Sequence, residues 1–421
     1  MRQVDFYFLA LVSFLSWYIW TSIKAWHRPR NVPALNLLAT FSYLWLGRVT
    51  SSGLQFWVHR PTHRKYGPLV RIGPNEVATD DAEIVRQISP TKSSYPSGSW
   101  YKTGKFNPYR ENLFSTTDIE EHKKLRARLI LAYAGRNSAS IEPAVDGHVA
   151  VMINMIRDRH STQQAHLSAK LLRLEAITCF LTIDVISCLG FGEPLGNTIA
   201  ENNQHGLFKS FHELWPQMST CAEVPWIRDI LFSGAFLKLF GPKTTDTKGF
   251  GAVMALAEIF VGRRFSTGEK KSVMLNSLIE HGFNREECES EALLMLLAGT
   301  ESTACAIRSA LVHAITCPAA VIYEGIRMRP PLLGFFPKVV PHPGANFHRI
   351  QLPAGTSIMT NVSALSSSTG LFGADADAAF TDQRDSSSSS RLRGNKWNAT
   401  SSWRSAMGNG SALGSPLHPW S

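Results

Sequence analysis

The sequence predicts a mainly α fold with a small β region, carried behind an N-terminal transmembrane helix. Three stretches predict it. Residues 6–23, FYFLALVSFLSWYIWTSI, run uncharged and apolar for 18 positions, about the minimum that crosses a bilayer. Residues 289–308, ESEALLMLLAGTESTACAIR, read as a helix apolar on nearly every side, which belongs in the middle of a large core. Residues 66–77, YGPLVRIGPNEV, are two β-rich runs punctuated by Gly67-Pro68 and Gly73-Pro74-Asn75, the pattern of a hairpin.

The N-terminal stretch carries Trp17, Tyr18, Trp20 and Trp26, then Lys24, Arg28 and Arg30. Aromatic residues sit at membrane interfaces, and basic residues favour the cytosolic side. No small-residue cleavage site follows, so the segment reads as an uncleaved single-pass anchor with the rest of the chain cytosolic. A buried N-terminal helix is the alternative. Pro29 and Pro33 end it as a stiff hinge. Residues 80–88 read as a short helix. Residues 119–134 are helical and basic, with His122 and Arg126 four apart on one face. Together these two residues can bind an anion, although a basic run is more often a solvated face.

From 141 to 279 the pattern is mainly helical, and residues 190–194, GFGEP, are a helix stop. Residues 215–233 read as apolar and irregular, facing substrate or membrane. Cys317-Pro318 ends the central helix, and a short helix follows with Glu324 and Arg327 on one face. Residues 338–358 read as short strands around a turn at 352–356. Beyond Arg384 a serine run and a Ser-, Gly- and Asn-rich tail lack periodicity, so 385–421 are expected to be disordered. The expected domains are therefore an anchor and hinge over 1–30, one folded domain over 31–384, and the tail.

The chain has 421 residues and a net charge of +10, from 43 Lys and Arg against 33 Asp and Glu. The two signs are interspersed, which argues against a nucleic-acid partner and suits simple solubility or an anionic membrane face. The six cysteines, Cys179, Cys188, Cys221, Cys288, Cys305 and Cys317, form no C-x-x-C pair, and several sit in apolar runs. They read as reduced, buried thiols and give no metal-ligand set. In the central helix, Gly299, Thr300, Glu301, Ser302 and Thr303 interrupt the apolar run. An acid and three hydroxyls are costly to bury unpartnered, and such a break in local rules is where function is expected.

Taken in order, these pieces resemble the cytochrome P-450 superfamily of heme-thiolate monooxygenases, specifically a fungal-type microsomal member. Ala298-Gly299-Thr300-Glu301-Ser302-Thr303 matches its oxygen-binding helix motif. Glu324-Gly325-Ile326-Arg327 matches its E-x-x-R. Phe380-Thr381-Asp382-Gln383-Arg384 keeps the spacing of its F-x-P-E-R segment. The resemblance implies a heme cofactor, an NADPH-cytochrome reductase partner, the endoplasmic reticulum membrane, and oxidation of a small hydrophobic metabolite in fungal secondary metabolism. It also implies residue roles: Glu301 and Ser302 in proton relay, Ala298 and Gly299 beside the heme with Gly299 leaving room for oxygen, His122, Arg126 and Lys338 on the propionates, and Glu324, Arg327 and Arg384 as a structural ion cluster.

Two departures set further expectations. Only 26 positions separate Ala298 from Glu324, shorter than the family's interval, which reads as an internal deletion. The family's cysteine loop is also absent: no cysteine follows Cys317, and Gly414 stands where the ligand would fall. The expected fold is thus truncated at the proximal heme side, with the thiolate reaction impaired. An inactive pseudoenzyme or wrongly assembled gene product, and a membrane-anchored non-enzymatic binding protein, are the alternatives.

Overall fold

The computed structural model describes residues 2–90, 93–133, 141–160, 171–269, 271–316, 322–332, 334–373 and 376. Arg384, Gly414 and the whole of 385–421 lie outside the described residues, as do Cys317 and Pro318. The chain packs as two compact units, one of residues 1–100, 223–225 and 333 onward, the other of 101–222 and 226–332.

The first unit holds the sheet. Strands β1 (Leu69–Arg71) and β2 (Glu76–Thr79) form the expected hairpin, with Val70 opposite Ala78. Lys338–Val339 (β3), Gly344–Phe347 (β4), Ile350–Pro353 (β5) and Ser357–Thr360 (β6) follow. The main sheet runs β1-β2-β6-β3, with β6 parallel to β2 and Val77 beside Ile358; β4 and β5 form a separate hairpin. Leu69, Val77, Ile88, Leu352 and Ile358 pack as its core. Between β4 and β5 the two-residue turn puts His348 at φ +50° and Arg349 at φ +65°, the left-handed pair that matches strand twist. His348 Nε2 meets Asp81 Oδ2 at 2.6 Å, and the other Asp81 oxygen caps the helix Ala82–Ile88 by accepting from the Glu83 and Ile84 amides.

Five helices precede the sheet and one follows β2. Helix α1 (Arg2–His27) is long and apolar enough to cross a membrane, by length and composition. Helix α2 (Leu37–Phe41) opens on Asn36, whose side chain accepts from the Ala39 amide, and α3 spans Ala82–Ile88.

The second unit is helical. Helices α4 (Ile119–Tyr133), α5 (Ile141–His160), α6 (Leu174–Phe191), α7 (Leu207–Glu223), α8 (Gly249–Thr267), α9 (Arg285–Thr316) and α10 (Ile322–Met328) are its main elements. The span 215–233 is not irregular: α7 passes through Pro216, and Pro225–Leu231 form another short helix. Proline disfavours a helix interior without forbidding it, so Pro216 misleads the sequence reading there. Helix α6 also has the length and hydropathy of a span, yet 61% of it is buried. Gly192 ends it at φ +88°, donating its amide to Cys188 O at 2.8 Å, a left-handed stop that suits glycine.

Helix α9 begins with a reciprocal cap. The Glu287 amide donates to Asn284 Oδ1 and the Asn284 amide to Glu287 Oε2, both at 2.9 Å. Ala292, Leu293 and Leu296 are 0–1% exposed and pack with Ile183, Ala257, Val261 and Leu275. Helix α10 folds back on α9 so closely that a Cβ at Gly325 would lie 3.0 Å from the Ala310 Cα.

Candidate functional site

Three polar side chains of the α9 notch, Thr300, Glu301 and Ser302, are partnered. Thr300 Oγ1 donates to Leu296 O and Ser302 Oγ to Ala298 O, each at 2.6 Å. Both hydroxyls thus satisfy themselves on the preceding turn, as Ser and Thr do inside helices. Ala298 is exposed, directly after the buried run of Ala292, Leu293 and Met295 to Leu297. A small side chain on an open face of a core helix leaves room beside it.

Glu301 is held from two directions. Arg308, two turns on, donates through Nη2 to Oε1 at 2.6 Å, and the Cys179 thiol of α6 donates to Oε2 at 3.0 Å. Arg308 Nη1 also lies 3.4 Å from Glu175 O, Thr178 Oγ1 and Cys179 Sγ. Burial pushes the Cys179 thiol up to about 12, and the Glu301 carboxylate adds to the effect. With both oxygens engaged, the Glu301 carboxylate joins α6 to α9 as a brace. Gly299 serves the same joint. A Cβ there would lie 2.8 Å from Ile186 Cγ1, so its missing side chain admits α6.

His122 and Arg126 stand one turn apart on α4, both half-buried. Much of the surrounding charge is neutralised: Lys123 pairs with Glu120 at 2.7 Å, Lys124 with Glu121 at 2.8 Å, and Arg128 with Glu287 at 3.2 Å. Lys338 belongs to the other unit. It donates to Ser97 Oγ at 3.2 Å, and burial lowers its ammonium's pKa. Among the described residues it forms no ion pair. Arg327 is 1% exposed, with Nη2 3.4 Å from Met328 Sδ. The Glu324 side chain and Arg384 lie outside what is described.

Sequence reasoning missed three residues. Arg308 was findable, since seven positions from Glu301 is two turns along one face. Cys179 was not, because nothing local ties it to a residue 122 positions away. Glu291 is the third: its carboxylate is 2% exposed, accepts from the Leu113 amide at 2.8 Å and the Tyr133 hydroxyl at 3.2 Å, and is pushed up to about 7 by burial.

A family model described as Cytochrome P450 matches residues 32–320. The chain is 48% identical over 383 residues to the cytochrome P450 monooxygenase aba1 of Botryotinia fuckeliana, covering 83% of this chain and 75% of that protein. It is 46% identical over 404 residues to the cytochrome P450 monooxygenase abl1 of Leptosphaeria maculans, covering 88% and 71%. With the cytochrome P450 monooxygenase ABA1 of Pyricularia oryzae the identity is 29% over 381 residues, covering 81% and 74%.

Proposed function

Because this chain belongs to the cytochrome P450 family, we propose that it descends from membrane-anchored monooxygenases of fungal secondary metabolism and that its own thiolate chemistry is impaired. The substrate class is a small hydrophobic metabolite. The partner is an NADPH-cytochrome reductase, and the location is the endoplasmic reticulum membrane with the folded units cytosolic. The exposed, apolar α1, with Lys24 in its last turn and Arg28 and Arg30 after it, supports that placement.

The family's cofactor is heme, whose iron takes a cysteine thiolate that favours O–O cleavage. The residues of this chain fit that group in one part. Lys338 is a desolvated cation without an acidic partner among the described residues, which suits a carboxylate such as a propionate. A ligand must be the thiolate, and burial opposes that form at Cys179, Cys188, Cys221 and Cys288, whose pKa it raises, to about 12 for Cys179 and Cys288. No cysteine follows Cys317. That absence carries the proposal.

The test is a reduced-CO difference spectrum of the full chain expressed with heme supplied. A chain without thiolate ligation gives no thiolate-type Soret band. Appearance of that band contradicts the proposal and restores the active-enzyme reading.

A further inference from the structure

Residues 263–266 read Arg-Arg-Phe-Ser, and Arg263-Arg264 is the one Arg-Arg pair in the sequence. Serine kinases that read basic peptides recognise arginines just before the target hydroxyl, by charge pairing in their substrate groove. The fold places this stretch in the last turn of α8, which ends at Thr267. Gly268 follows at φ +61° and donates its amide to Arg264 O at 3.1 Å. A helix end is where the chain opens at lowest cost.

The side chains of this turn are unequally held. Ser266 is exposed, and its hydroxyl donates to Gly262 O at 2.9 Å, a bond that water can replace. The Arg263 side chain is 56% exposed and pairs with Glu193 at the surface, a contact of small worth. The Arg264 side chain is 7% exposed. It donates to Phe191 O at 2.8 Å and to Glu269 O at 3.0 Å, contacts that opening of the turn gives up. Thr267 is the neighbouring hydroxyl, but three positions before it stands the buried Arg264. Three positions before Ser266 stands the exposed Arg263, so Ser266 is the better target.

A further guanidinium faces the same turn. Arg285 opens α9 and lies against Gly262, where a Cβ would be 3.1 Å from Arg285 Nη2. Ser266 follows Gly262 by four residues, so its side chain leans back over that same position. The glycine thus leaves a hydroxyl of α8 and a guanidinium of α9 facing one bare stretch of backbone. Arg285 is shared between Glu289 at 2.8 Å and Glu258 at 3.6 Å. A phosphate on Ser266 carries about two negative charges at neutral pH and gives an arginine bidentate, charge-assisted bonds. The α8 dipole opposes an anion at this end, so the phosphate requires such a cation.

We infer that Ser266 is a phosphorylation site for a kinase that reads basic peptides, and that Arg285 takes its phosphate and ties α8 to α9. The γ-phosphoryl group passes from ATP to Ser266 Oγ as its bond to the β-phosphate oxygen breaks. ADP leaves, and the hydroxyl proton goes to the catalytic aspartate of the kinase. The inference is independent of heme binding.

The experiment incubates the full chain, folded in detergent, with magnesium ATP and the catalytic subunit of cAMP-dependent protein kinase. The expected result is one phosphate per chain, mapped to Ser266 by peptide mass spectrometry and lost in Ser266→Ala. No phosphate, or phosphate on other residues alone, overturns the site. Urea denaturation then compares the phosphorylated and unmodified chains. The phosphorylated chain should unfold at a higher urea midpoint, and in Arg285→Gln phosphorylation should bring no such rise. An unchanged or lowered midpoint in the chain with Arg285 overturns the tie between α8 and α9. A rise that persists in Arg285→Gln removes Arg285 from the account. The mapping decides the site even where Arg285→Gln fails to fold.

Discussion

Arg308 and Glu301 are joined by an ion pair of 2.6 Å between two turns of the same helix, and Arg308 reaches across to α6 as well. The pair is partly exposed, 20% for the Arg308 side chain and 39% for Glu301. Its loss therefore costs less than that of a fully buried pair. Arg308→Ala should lower the unfolding free energy by about 1–2 kcal/mol, read by urea denaturation. Cys179→Ala removes only a thiol donor and should cost about 1 kcal/mol or less. If Arg308→Ala left stability unchanged, the brace between α6 and α9 would not exist.

Gly299 and Ile186 should behave as a coupled pair. Gly299→Ala improves helix propensity yet drives a Cβ to 2.8 Å from Ile186 Cγ1. The net effect expected is a loss of about 1–3 kcal/mol from overpacking. In an Ile186→Ala background the same change should cost much less, because the clashing atoms are gone. A double-mutant cycle by urea denaturation measures that coupling; additive effects would refute it.

Glu291 should make stability fall as pH rises. Its pKa is raised from 4.5 to about 7 in the fold, chiefly by burial, with Glu287 adding to the rise and the Leu113 amide and Tyr133 hydroxyl opposing it. The folded state then binds more protons than the unfolded one between these values. Stability from this group is full below about pH 4.5 and is lost through about pH 7, a change on the order of 2–3 kcal/mol. Glu291→Gln keeps an amide oxygen for the Leu113 amide and removes the titration. Urea denaturation at mildly acidic and mildly alkaline pH should show the slope in the native chain and a flatter dependence in the variant.

Asp81 does two tasks with one carboxylate, capping α3 and meeting His348 in the β4–β5 turn. Asp81→Ala should cost about 1–2 kcal/mol, whereas Asp81→Asn, which keeps the cap, should cost less. Thermal or urea unfolding of the two variants separates the cap from the His348 contact.

The sequence made local structure readable where a local cause existed. The β1–β2 hairpin follows from Gly73-Pro74-Asn75, and the end of α6 from the glycine at 192. The central helix follows from its apolar run, though its capped start at Asn284 and its full extent from Arg285 to Thr316 exceed the expected stretch. The purpose of the polar notch was harder to read. Glu301 is defined by Cys179, and Gly299 by Ile186, and both partners belong to another helix distant in sequence. Arg71 shows the same limit: its guanidinium, 1% exposed, donates to the backbone carbonyls of Gly73, Pro74 and Thr40, which no side-chain pattern announces. Motif spacing conveyed the lineage, while the work of each residue depends on what packs against it.

The most direct test of the account is the reduced-CO difference spectrum of the full, heme-supplied chain. The account predicts that no thiolate-type Soret band forms, since burial raises the pKa of the Cys179, Cys188, Cys221 and Cys288 thiols and no cysteine follows Cys317. A clear thiolate-type band, lost on replacing one named cysteine by alanine, would contradict it.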